Sequence, residues 1–146
     1  DRLARYSRIA SMVLFDVDHF EDFNTRRGTP MGDLLLTCLA GLVLASVRNV
    51  DVAGRFRDEK FLVFLPETET EGARIFTGRI QKQLADIATS VAEEPLTFTA
   101  GIVSAPENGN RFDVLAERAH AAMRAAKKES PGGFVVWHKS MDTPAS

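Results

Sequence analysis

Two acidic residues stand where a short apolar run ends or turns. Asp16 closes SMVLFDV, residues 11–17, and Glu59 lies inside RFRDEKF, residues 55–61, between the apolar segments VDVAG and FLVFLP. If the first run is a strand and the second pair a hairpin, both carboxylates can meet at one end of a sheet. Hard carboxylate oxygens there could hold a Mg²⁺ that also grips the phosphates of a substrate. Acids at strand ends also serve simply to keep those ends solvated, and spacing alone does not separate the two roles. The hairpin tip is unusual in its own right. A tight turn normally uses Gly or Asn-Gly, which take positive φ at little steric cost, whereas this one carries Arg57, Asp58, Glu59 and Lys60.

The elements that must position these residues can be read from periodicity. The run 11–17 reads as a buried strand, followed by a short polar helix over HFEDFNTRR that ends at Gly28. Thr29 and Pro30 read as a cap and first turn opening the apolar helix MGDLLLTCLAGLVLASVR, dense enough in apolar residues that most of its faces should be covered. Strands are expected at about 51–57 and 60–66, then an amphipathic helix over 69–88 with Ile75, Phe76, Ile80, Leu84 and Ile87 at helical spacing. A strand at 96–104, an Ala-rich helix at 111–128 and a last strand at 133–137 complete the chain. Five strands with helices between them describe an α/β or α+β layer on a mixed or mainly antiparallel sheet.

Composition bounds the function. With 146 residues and 45% hydrophobic content, the chain suits one domain with a real core. A net charge of −2 argues against a broad footprint on a nucleic-acid polymer. Cys38 is the only cysteine, so no internal disulfide can form, and its apolar helical setting predicts a buried, inert thiol in a reducing, cytoplasmic compartment. The apolar runs read as shorter than a membrane span. His19, His120 and His138 are scattered without metal-ligand spacing, and Phe134 and Trp137 read as packing residues. The chain begins at Asp1 without an initiator methionine, which reads as one domain, 1–146, cut from a longer protein.

Taken together, the motifs resemble a known family. FDVDHFEDFNTRRGTPMGD is similar to D-[IV]-D-x-F-K-x-[IV]-N-D-x-x-G-x-x-x-G-D, and VDVAGRFRDEKFLVFLP to D-x-x-[AG]-R-[YF]-G-G-[DE]-E-F-x-[IV]-x-L-P. These are patterns of the GGDEF domain, the diguanylate cyclase family, which joins two GTP molecules into cyclic di-GMP. LTFTAGIVS and AHAAMRAAKK keep the family's register further along. The resemblance implies an α+β, nucleotidyl-cyclase or palm-like fold with a central five-stranded, mainly antiparallel sheet flanked by helices. It also places Asp16 and Glu59 on the metal-binding positions, Asn24 and Asp33 on the pair that recognises the guanine of GTP, and Lys127 on a lysine that contacts the triphosphate.

The departures from the pattern imply lost catalysis. Arg57 and Asp58 replace the two signature glycines, so side chains fill space where backbone approaches nucleotide. Lys60 replaces the fourth-position glutamate, Glu21 a lysine, and Pro131 an arginine that reaches the terminal phosphates. Positive charge is removed from the phosphate pocket while a cation is set against the metal, the reverse of what phosphoryl-type transfer needs. Lys60 could instead pair with Asp58 or Glu59 as a surface ion pair of little worth.

RNVD, Arg48 to Asp51, lies five residues ahead of Arg57, where family members carry an R-x-x-D inhibitory motif that binds product. A second R-x-x-D, Arg55 to Asp58, is out of that register. A guanidinium can bond bidentately to guanine O6 and N7, discriminating by about 1–3 kcal/mol, and a carboxylate can accept from guanine N1 and N2. Arg79 falls where some members place a further arginine of that site. The expectation is therefore an inactive cyclase homologue acting as a cyclic di-GMP receptor through Arg48 and Asp51. It requires no cofactor, with Mg²⁺ only if the remnant GTP site is used. The alternatives are a GTP sensor, a slow cyclase, or a scaffold. An attached domain or partner protein, and a homodimer, are the expected partners.

Overall fold

The computed structural model describes residues 8–46, 52–55 and 60–141, with 52–55 described in backbone alone. Arg48, Asp51, Arg57, Asp58 and Glu59 lie outside the described residues. The elements run β1 (Ala10–Val17), α1 (Phe20–Arg27), α2 (Thr29–Ser46), β2 (Val52–Arg55), β3 (Lys60–Pro66), α3 (Thr70–Ala92), β4 (Phe98–Ala105), α4 (Phe112–Glu129) and β5 (Phe134–Val136). A 3₁₀ turn follows at Lys139–Met141.

The five strands form one sheet in the order β2-β3-β1-β4-β5. Every pairing is antiparallel except β4 with β5, which is parallel, as a crossover through α4 requires. The mainly antiparallel sheet expected from the sequence is thus present. β1 lies at its centre, and its neighbour β4 is buried along its whole length.

Period-two alternation divides the sheet's side chains between two cores. Val13, Phe15, Val17, Phe61, Val63, Phe98 and Ile102 face α2 and α3, whose Leu35, Leu39, Ile80 and Leu84 are fully buried against them. Met12, Leu14 and Val103 face the other way, onto Leu115, Ala119 and Met123 of α4. The alanines of α4 let it sit directly on β4. A Cβ built on Gly101 would fall 2.2 Å from the Ala119 carbonyl oxygen and 2.3 Å from the Met123 nitrogen.

Several details differ from the sequence expectations. Thr29 is the first helical residue of α2 and not its cap, because the Gly28 carbonyl accepts from the Met31 and Gly32 N–H groups, each at 3.2 Å. α2 is not covered on most faces: Leu34 and Leu44 are exposed, since only the face carrying Leu35, Leu36, Leu39 and Val43 reaches the core. By length and composition, α2 also reaches what a membrane crossing needs, contrary to the reading that no run does. In this fold it is one layer of the domain. Cys38, expected to be buried, is half-buried on the flank of that helix. Along α3 the buried seam is Ala73, Phe76, Ile80, Leu84, Ala88 and Ala92, and Ile75 points outward. One residue is about 100° of helical rotation, enough to carry Ile75 off the face that holds Phe76.

Candidate functional site

Strand register builds the site. Asp16 pairs with Lys60 of β3 on one side and with Thr99 of β4 on the other, forming one row across three strands. Asp16 shares the face of Met12 and Leu14, so the row points toward α4, whose last turn brings Lys127 over it. On the opposite face Phe15 stacks on Phe61 and Phe98, with ring centroids 5.3 and 4.3 Å away, which holds this end of β1 rigid.

Asp16 Oδ2 accepts from Lys60 Nζ at 3.0 Å and lies 3.5 Å from Lys127 Nζ. Asp16 Oδ1 is buried and has no hydrogen-bond partner among the described residues. Two residues on, Asp18 is more completely held. Its Oδ1 accepts from Thr99 Oγ1 at 2.6 Å and Lys127 Nζ at 2.8 Å, its Oδ2 from Thr97 Oγ1 at 2.7 Å, and its side chain is only 9% exposed. Burial opposes its charge, but the hydrogen bonds from Lys127, Thr99 and Thr97, with the Lys127 charge behind them, outweigh it and hold the carboxyl below the usual aspartate range. The Gly132 N–H then donates to Thr99 Oγ1 at 2.9 Å, tying the segment after α4 to the same cluster.

Asn24 comes from α1 and lies against Gly32, the residue before Asp33; a Cβ on Gly32 would collide with Asn24 Oδ1 at 1.7 Å. That oxygen is buried and has no partner among the described residues, whereas Asp33 is exposed. Arg26 and Arg27 both grip Glu94, at 2.7 Å to Oε2, and so pin α1 to the segment after α3. Those hydrogen bonds hold the Glu94 carboxyl low. Arg79 is exposed on α3, away from the Asp16 row.

The structure therefore gathers Asp16, Lys60 and Lys127 and sets Asn24 beside the start of α2. Lys60 does pair with a carboxylate, though Asp58 and Glu59, its candidate partners in the chain, lie outside the described residues. It bonds Asp16 across the sheet, its side chain 22% exposed. Asp18, Thr97 and Thr99 belong to the same cluster and were not among the residues singled out from the sequence. The T-F-T alternation at 97–99 was the available signal, since the hydroxyls of Thr97, just before β4, and Thr99, within it, both reach Asp18 while Phe98 enters the opposite core.

These groups fit a divalent cation poorly. Mg²⁺ demands near-octahedral oxygen ligation and is usually held by one or two carboxylates together with phosphates. Asp18 has committed both its oxygens, Asp16 has one oxygen shared by two ammoniums, and among the described acids of the cluster only Asp16 Oδ1 is open. No cluster of three or more His, Cys, Asp or Glu side chains suited to a metal occurs among the described residues. A cleft of about 680 Å³ does exist, but beside the first residues of β1 at the far end of the sheet, lined by Thr70, Ser104, Asn108 and Trp137. It contains none of the residues the sequence offered as metal or nucleotide contacts, so its size does not outweigh the chemistry of the Asp16 row.

Residues 1–132 match the family described as diguanylate cyclase, GGDEF domain. The chain belongs to the GGDEF domain family. Among curated relatives, it is 31% identical over 118 residues to the diguanylate cyclase DgcP of Pseudomonas aeruginosa, which covers 80% of this chain and 18% of the relative. It is 28% identical over 142 residues to the bifunctional diguanylate cyclase/cyclic di-GMP phosphodiesterase MucR of the same organism, covering 97% of this chain and 21% of the relative. The GGDEF domain thus spans about a fifth of these relatives' length. In fold it superposes on the active GGEEF domain of a diguanylate cyclase from Vibrio cholerae with a TM-score of 0.83, at 23% identity, covering 90% of this chain and 85% of that one. The GGDEF domain of DgcB from Caulobacter crescentus, in complex with c-di-GMP, gives 0.78 at 20% identity, covering 88% and 77%.

Proposed function

We propose that this GGDEF domain does not make cyclic di-GMP but binds it, through Arg48 and Asp51, with Arg79 supplying a further contact. The observation that carries the loss of activity is the Lys60 ammonium 3.0 Å from the Asp16 carboxylate, where the reaction needs a divalent cation and the triphosphate. In the sequence, Arg57 and Asp58 stand where the family signature has glycines. The receptor assignment is supported by the register of RNVD ahead of the signature, and by a related GGDEF domain having been captured with the ligand. Ligand occupancy would be relayed to an attached domain or partner protein in the cytoplasm, with a homodimer as one form of the assembly.

Calorimetry with cyclic di-GMP tests this directly. Micromolar or tighter binding is expected, and Arg48→Ala is expected to weaken it by about 1–3 kcal/mol, on the order of tenfold to a hundredfold. Product formed from GTP and Mg²⁺ by the wild-type chain would overturn the inactive reading. Binding untouched by Arg48→Ala would overturn the assigned site.

A second reading has one observation in its favour. Asn24 Oδ1 is a buried acceptor without a partner among the described residues, and the N–H groups of a guanine would satisfy it. GTP bound without turnover, using Asn24, Asp33 and Lys127, would supply that guanine.

A further inference from the structure

We infer that Lys60 is a resident counter-ion. Its ammonium fills the charge requirement of Asp16 that a divalent cation would otherwise meet, so the site stays closed to divalent ions until that charge is removed. The inference goes beyond loss of turnover, because it concerns metal binding by the chain with no nucleotide present.

Position makes the contact a fixed feature. Lys60 opens β3 directly opposite Asp16, and directly paired residues on one sheet face hold their Cβ atoms about 4.5–5.5 Å apart. From there the ammonium reaches the carboxylate without leaving the sheet, and it is mostly shielded from water. A long lysine on a loop would exchange its partner freely; this one leaves a strand whose next residue, Phe61, is locked in the Phe15 stack.

Charge accounting points the same way. Among the described residues, Asp16 and Asp18 are balanced by Lys60 and Lys127, two negative charges against two positive. Among the described residues, a doubly charged ion entering the cluster would meet two ammoniums and one open oxygen. Removing Lys60 changes this selectively. Lys127 remains anchored on Asp18 at 2.8 Å and only brushes Asp16 at 3.5 Å, so the Asp16 carboxylate is what becomes available. A glutamate at position 60 would set a second carboxylate opposite the first, supplying the hard oxygen pair that Mg²⁺ and Mn²⁺ accept.

The test is a titration of Mn²⁺ followed by the electron paramagnetic resonance signal of the free ion. Wild type, Lys60→Glu, Lys60→Met, Asp16→Asn and the Asp16→Asn/Lys60→Glu pair are compared, each checked for cooperative thermal unfolding. Wild type should leave the ion free. Lys60→Glu should bind one Mn²⁺ at least about tenfold more tightly, an increment of about 1.4 kcal/mol, and lose that binding when Asp16→Asn is added. Wild-type binding that Asp16→Asn abolishes would overturn the inference, as would a folded Lys60→Glu that binds no better than wild type. Lys60→Met separates loss of the cation from gain of a carboxylate and should lie between the two. If Lys60→Glu and Lys60→Met both fail to fold, the wild-type and Asp16→Asn titrations still decide. No cyclic di-GMP or GTP enters the experiment, so its failure is distinct from failure of the receptor reading.

Discussion

An Asp18→Ala variant is expected to unfold with a free energy lower by about 3 kcal/mol, because removing one partner of a buried ion pair strands the other. Asp18 is the hub of the cluster. Its loss leaves Lys127 beside Asp16 alone and deprives the Thr97 and Thr99 hydroxyls of their acceptor at a position almost closed to water. Urea unfolding monitored by circular dichroism measures the change. The same carboxyl sets a pH dependence. Its folded pKa lies below the ordinary value of 3.8, so the stabilisation is complete above that value and is lost as pH falls through the folded pKa. Asp18→Asn should therefore flatten the acid limb of the stability curve. An acid limb as steep as that of wild type would show that the charge of Asp18 contributes little to folding.

Gly101→Val is expected to destabilise the domain by about 3 kcal/mol or more, the upper end of what overpacking does. The atoms a side chain would meet there are backbone atoms of α4, the Ala119 oxygen and the Met123 nitrogen, which cannot move aside by rotamer change. α4 would have to lift from β4. Because α4 carries Lys127, the Asp16–Asp18 cluster should loosen along with the core. Gly41→Ala gives the opposite sign: a Cβ there meets nothing within 4 Å on the exposed side of α2, and alanine in a helix interior is favoured by about 0.5–1 kcal/mol. Thermal unfolding of the two variants should move in opposite directions. A neutral Gly101→Val would mean that the close approach of α4 to the sheet is not maintained in solution.

The order of elements was legible in the sequence because burial in this fold obeys two simple periods. The short apolar runs in SMVLFDV and KFLVFLP mark buried strands, whose residues alternate between the two cores once paired, and the apolar spacing of 69–88 marks a helix on one face of the sheet. The motif positions of Asp16, Asn24 and Lys127 made them candidates from sequence alone. Their arrangement was not legible there. Ile75 and Phe76 are equally apolar neighbours, and only the rotational setting of α3 against the sheet decides that the second is buried. Lys60 has anionic neighbours in the chain, and only the register of β3 on β1 directs it to an aspartate 44 residues away. The cradle of Thr97, Thr99 and Lys127 around Asp18 likewise draws on β4 and α4, segments separated from β1 by most of the chain. Local pattern determined which residues face a core and which end a strand. Whether a carboxylate at that end met a lysine or stood open was decided by strand pairing and helix packing, because electrostatic contacts depend on distances that sequence separation does not constrain.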